Sequence, residues 1–112
     1  MHRVRGNGST ASTDGAVGGT FDYNHGIIPG GTATANVYAG GVIDILNYAN
    51  IITKKTFRHL GGVDTNGGGQ VNFVSGLWNY TDSVVSITIG MKDGGTGKFA
   101  QYSRFSLYGI KG

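Results

Sequence analysis

The side chains able to do chemistry in this 112-residue chain are few: His2, His25 and His59, six Asp, no Glu and no Cys. A hydrolytic triad needs a nucleophile, a base within hydrogen-bond reach and a group that orients the base. His2 lies close to the first residue, His25 in a glycine-flanked stretch and His59 in a strand-like one, and none is set in a nucleophile elbow. Glycosidase chemistry needs two carboxyl groups across a cleft. Asp14, Asp64 and Asp93 stand instead in glycine-rich turns, where a local hydrogen bond is the simpler use, and only Asp22, Asp44 and Asp82 remain. Gly94-Gly95-Thr96-Gly97-Lys98 is shaped like the end of a phosphate-binding loop, but Phe99 stands where Ser or Thr is needed and Lys92 where the upstream Gly is needed. It reads as a hairpin turn. Asp64-Thr65-Asn66-Gly67 sets oxygen atoms at calcium-like spacing without the further carboxylates that hold the ion, and reads as a polar turn. With no Cys there is no disulfide, thiolate metal site or cysteine nucleophile. The chain is expected to be no enzyme and to carry neither cofactor nor metal.

The aromatic side chains are the better candidates for contact. Trp78, Tyr80 and Tyr108 could stack on a sugar ring or anchor an interface. Beside Leu77, Trp78 is expected in the core, and Tyr80 and Tyr108 at the surface or in an interface. Six Tyr among Gly, Asn, Ser and Thr are also compatible with a carbohydrate-binding face. The one basic cluster is Lys54, Lys55 and Arg58 in a chain of net charge +3 and 13% charged residues, too sparse for a nucleic-acid stripe. Alternation puts Lys54, Thr56 and Arg58 on one face and Lys55, Phe57 and His59 on the other, so the cluster reads as a solvated face or an edge guard. No apolar run reaches the roughly 18 residues of a membrane span, and no export signal is evident, so a soluble chain with no nucleic-acid or membrane partner is expected.

These residues must be positioned by strands. Best helix formers are scarce, with no Glu and few Leu and Lys, while Thr, Asn, Val and Ile abound. The 22 Gly follow no collagen-like repeat, and 38% hydrophobic content is too rich for a disordered linker. One domain over residues 1–112 is expected, with long Gly/Ser/Thr-rich loops at about 6–19 and 26–41. Met1–Arg5 and Thr20–Asn24 read as short strands, and Val42–Tyr48 as a strand apolar enough to be central and buried on both faces. A strand around Phe57, with a bulge or bend at Gly61-Gly62, turns at Asn66–Gly69 into a further strand over Val71–Trp78. Val85, Ile87 and Ile89 alternate with Ser86 and Thr88, and Phe105 and Leu107 alternate with Arg104, Ser106 and Tyr108, which predicts two half-buried strands. A short turn of helix is conceivable only near Ala49–Thr53. The expected class is all-β: an antiparallel two-sheet sandwich, jelly-roll-like.

The segments Met1–Arg5, Gly76–Thr81, Val85–Ile89 and Ser103–Lys111 (SRFSLYGIK) resemble, in this order, landmarks of the C-terminal β-sandwich domain of tailed-phage virion structural proteins, of the tail-fibre, head-fibre and head-decoration types. The resemblance spans most of the chain and brings no catalytic residue. It implies a non-enzymatic structural protein on the exterior of a phage particle, acting through subunit contacts. The implied partners are further copies of itself, as a homotrimer, and virion proteins such as the major capsid or tail proteins. The alternative is a receptor-binding, lectin-like module of a tail fibre in which Trp78 or Tyr80 engages host cell-surface glycan. A polysaccharide hydrolase is a third reading, opposed by the missing Glu and by the want of an acid pair.

Overall fold

The computed structural model describes residues 1–15, 28–29, 33–91 and 97–110. Its framework is five strands, β1 (His2–Gly6), β2 (Ala11–Gly15), β3 (Gly40–Ile45), β4 (Lys55–Asp64) and β5 (Gly69–Trp78). They form one antiparallel sheet in the order β2-β1-β5-β4-β3. No helix occurs among the described residues. The protein is all-β, as its composition predicts.

Local chemistry explains both hairpins. In the β4–β5 turn, Asn66 and Gly67 take positive φ (56° and 117°), Thr65 N–H donates to Gly68 O at 2.8 Å, and Asp64 Oδ1 accepts from Asn66 N–H at 2.8 Å. The β1–β2 turn uses the same device: Asn7 Oδ1 accepts from the Ser9 and Thr10 amides at 3.1 and 2.8 Å, and Gly8 has φ 89°. That turn makes a strand of Ala11–Gly15, inside the stretch whose composition predicts only loop.

Two further expectations are corrected. The Val42–Tyr48 region is not central: β3 is the edge of the sheet, and its side chains are exposed except for half-buried Ile45. The chain leaves β3 where Asn47 (φ 55°) begins a turn. Gly61 and Gly62 make no bulge, because the register runs unbroken through Gly61↔Asn72 and Gly62↔Val71. Their partners show what these glycines are for. On one face the His59 ring lies over Gly61 and Gly41, within 2.7 Å of where either Cβ would stand. One pair along, the Phe57 ring occupies the place of a Cβ on its cross-strand partner Gly76. Gly76→Ala should therefore displace Phe57 and destabilise the sheet by about 1–3 kcal/mol, the usual result of overpacking. Urea unfolding would measure it, and an unchanged midpoint would refute the overlap.

Residues 49–53 form a turn and bends rather than a helix, with Asn50 Oδ1 accepting from the Ile52 and Thr53 amides at 2.7 and 2.8 Å. Val85–Ile89 and Ser103–Ile110 form no strand, although their alternation predicts two. Thr20–Asn24, His25, residues 26–27 and 30–32 of the loop at about 26–41, and all of the Asp93–Gly97 turn but Gly97 lie outside the described residues.

Candidate functional site: an outward apolar sheet face

Antiparallel register places directly opposed residues on the same face. One face carries Lys55, Phe57, His59 and Gly61 from β4 and Asn72, Val74, Gly76 and Trp78 from β5. It is screened from solvent at its centre, yet Val74 is the only buried large hydrophobe among the described residues, beside buried Lys55, His59 and Asn72. The opposite face is open, and there Val4, Phe73, Leu60 and Val42 stand in one row across β1, β5, β4 and β3. All four are between 47% and 64% exposed, with Val71 and Leu77 exposed beside them on β5. Polar Lys55, His59 and Asn72 buried on one face, with a row of apolar side chains open on the other, depart from the usual sheet, whose apolar face packs on the core. A contiguous outward apolar row of this kind marks a surface made to be covered.

The buried polar face is organised by Lys55. Its side chain is 1% exposed, and its Nζ donates to the carbonyls of Asn50, Thr53 (2.8 Å) and Thr81 (2.5 Å), one for each ammonium N–H. It also lies 5.8 Å from the centroid of Trp78, within reach of the ring face. Lys55 thus ties the loop after β3 and the chain after β5 to one end of the sheet. The basic cluster is accordingly no edge guard: β4 is internal, Lys55 is enclosed, Lys54 is exposed before the strand, and Arg58 pairs with Asp44 at 3.3 Å on the open face. Alternation does separate Lys55 from Arg58. What reveals its burial is that it shares a face with Phe57 and His59.

On the outer hairpin Arg3 grips Asp14 through Nε (2.9 Å) and Nη2, and Arg5 Nη2 approaches the same carboxylate at 4.0 Å. The hydrogen bonds from Arg3, with the two positive charges, hold the Asp14 carboxyl below its ordinary value of 3.8. A depressed carboxyl favours the folded state above its unfolded value, and that contribution disappears as pH falls through the lower folded value. Asp14 lies at the surface, so the contribution is small and screened by salt. Asp14→Asn should lower the neutral plateau slightly and flatten the acid limb, so that the two stability profiles converge below about pH 4. Chemical denaturation across pH would show it, and parallel profiles would refute it.

Of the aromatic candidates, Trp78 is half-buried and Tyr80 exposed, their ring centroids 6.0 Å apart at 51°. Tyr108 is exposed and joined to neither ring among the described residues. Its neighbour Gly109 sits beside the Tyr48 hydroxyl instead. A shallow groove of about 590 Å³ opens between the two hairpin turns, with Asn7, Tyr38, Asp64 and Gln70 at its walls. No cluster of three or more His and Asp able to hold a metal occurs among the described residues. Set against models of known families, curated proteins and solved structures, the chain matches none.

Proposed function

We propose that the chain is a non-enzymatic structural protein of a phage particle, exposed on its exterior as head decoration, cement or fibre component, and acting by adhesion between subunits. The observation that carries this reading is the outward apolar row Val4-Phe73-Leu60-Val42, for a sheet that turns its hydrophobes to solvent has its second layer supplied from outside. The resemblance of Gly76–Thr81, Val85–Ile89 and Ser103–Lys111 to the virion domain supplies the setting. A sandwich, jelly-roll-like, is then completed in the assembled homotrimer, whose remaining surface meets capsid or tail proteins. Gold-labelled antibody on particles, with sedimentation of the purified chain, tests it. Label on shell or fibre and an oligomeric mass are expected; a monomeric mass together with unlabelled particles would end the reading.

A second reading is favoured by the Trp78–Tyr80 pair and by the groove beside Tyr38, both suited to the faces and hydroxyls of a sugar. In this reading the chain is a lectin-like module recognising cell-surface glycan. Tyr80 is 62% exposed, so Tyr80→Ala leaves the fold intact and should abolish binding on a glycan array. An identical array profile removes this site.

A further inference from the structure

Beyond β5 the chain forms an arm with two feet and two legs. The first foot is Val84, whose N–H donates to Tyr48 O at 2.8 Å, and the second is Gly109, where a Cβ would stand 3.6 Å from the Tyr48 hydroxyl. Between them the legs, residues 85–91 and 97–108, come together where the Met91 side chain meets Gly97. Phe99 and Phe105 brace the second leg edge to face, 4.8 Å between centroids. Among the described residues, the only backbone hydrogen bonds of this stretch are the one at Val84 and Ser103 N–H to Ala100 O. Both legs nonetheless carry period-two patterns, and their apolar members lie open: Val85 is 90% and Leu107 83% exposed, with Ile87, Ile89 and Phe105 about half or more.

We infer that the arm of one copy lies on the apolar sheet face of the next, its Val85-Ile87-Ile89 and Phe105-Leu107 side chains covering the row Val4-Phe73-Leu60-Val42. The inference rests on the self-association proposed above and names its contact. Three observations select this occupant. Arm and face are exposed at the same time in one chain, so the arm does not cover the open face of its own sheet. Each has what the other lacks: the face is a paired sheet without a covering layer, and the arm is strand-patterned chain without a bed. The chain is also more spread than a self-contained domain, with a radius of gyration of 15.3 Å against roughly 13 Å for a compact domain of this length. Repeated around the three-fold axis of the homotrimer proposed above, arm on face is a head-to-tail contact that closes into a ring.

The chain has no Cys, so introduced thiols report without background. Phe73→Cys and Leu107→Cys chains carrying different tags are refolded together, oxidised, and read by tag capture and mass; Phe73→Cys with Ile87→Cys repeats the test from the other leg. A mixed disulfide within the oligomer from either pair is expected. Disulfide between two Phe73→Cys chains without the mixed species means that sheets meet face to face, which overturns the arm exchange but keeps self-association. A chain carrying both Phe73→Cys and Leu107→Cys that closes on itself at monomer mass overturns the exchange as well. An oligomer of strand-type circular dichroism that forms none of these disulfides does the same, and a folded monomer overturns both readings.

Discussion

A chain carrying Phe73→Asp is expected to keep its sheet and lose its neighbours. Phe73 is the centre of the outward row, flanked across the strands by Val4 and Leu60, and it points away from the buried face that contains Val74 and Lys55. In the free chain an Asp there meets water. In the assembly it would sit under a layer of aliphatic side chains, losing the roughly 1.5–3 kcal/mol of a buried large side chain and burying an unpaired carboxylate besides. Together these exceed about 4 kcal/mol, so association should weaken by roughly a thousandfold or more. Leu60→Asp, one strand over, should act in the same way. Ser9→Asp in the exposed β1–β2 turn should leave association unchanged. Sedimentation over a concentration series, with circular dichroism to verify the sheet, decides it. An unshifted association constant for Phe73→Asp would mean that the row is not the interface.

The second large effect is internal. Lys55→Met keeps length and bulk but leaves the carbonyls of Asn50, Thr53 and Thr81 without the donor that gathers them. Hydrogen bonds from a charged donor contribute roughly 1.5–3 kcal/mol each. The three residues are exposed and can recover water at their carbonyls, so the net loss should be about 2–4 kcal/mol, enough to lower Tm by about 10 °C. Lys55→Arg should not restore it, because a planar guanidinium cannot aim three N–H groups at carbonyls arranged around a tetrahedral nitrogen. Lys54→Met, at an exposed neighbour, should stay within about 0.5 kcal/mol of the parent. The comparison belongs at one protein concentration, since an assembling chain has a concentration-dependent Tm. Equal Tm values for Lys54→Met and Lys55→Met would show that the buried ammonium holds nothing together.

The sheet was legible in the sequence wherever period two and turn chemistry agreed. His2 and Val4 do share one face with Arg3 and Arg5 on the other, Asn66–Gly69 does close a hairpin, and Lys55, Phe57 and His59 do lie together. Ala11–Gly15 was hidden because Ser and Thr carry no apolar alternation. The signal there was the Asn7-Gly8 pair, a strong hairpin turn that composition averaged away. The edge position of β3 was misread because Val42, Ile43 and Ile45 look like a strand covered on both sides; apolar content measures how much surface seeks cover, not whether the same chain provides it. The same reason accounts for Val85–Ile89 and Ser103–Ile110. Alternation says which side chains share a face, whereas a ladder also requires a free backbone alongside. The outward row was implicit in Leu60, Phe73 and Val42, but became a candidate site only once the register aligned them.

The strand order also sets a timetable. β1 is made first yet is flanked by β2 and β5, so one of its two ladders waits until the chain has been synthesised through Trp78. The hairpins β1–β2 and β4–β5 close over short turns, while the β1–β5 ladder closes a loop of more than sixty residues between Gly6 and Val71, the slow step expected of non-local pairing. In pulsed hydrogen exchange, the β4–β5 amides should gain protection before those of β1 that face β5, and the reverse order would refute this sequence. A nascent chain therefore carries β1 with one ladder formed until β5 has been made, and the outward row is complete only once Phe73 has taken its place between Val4 and Leu60.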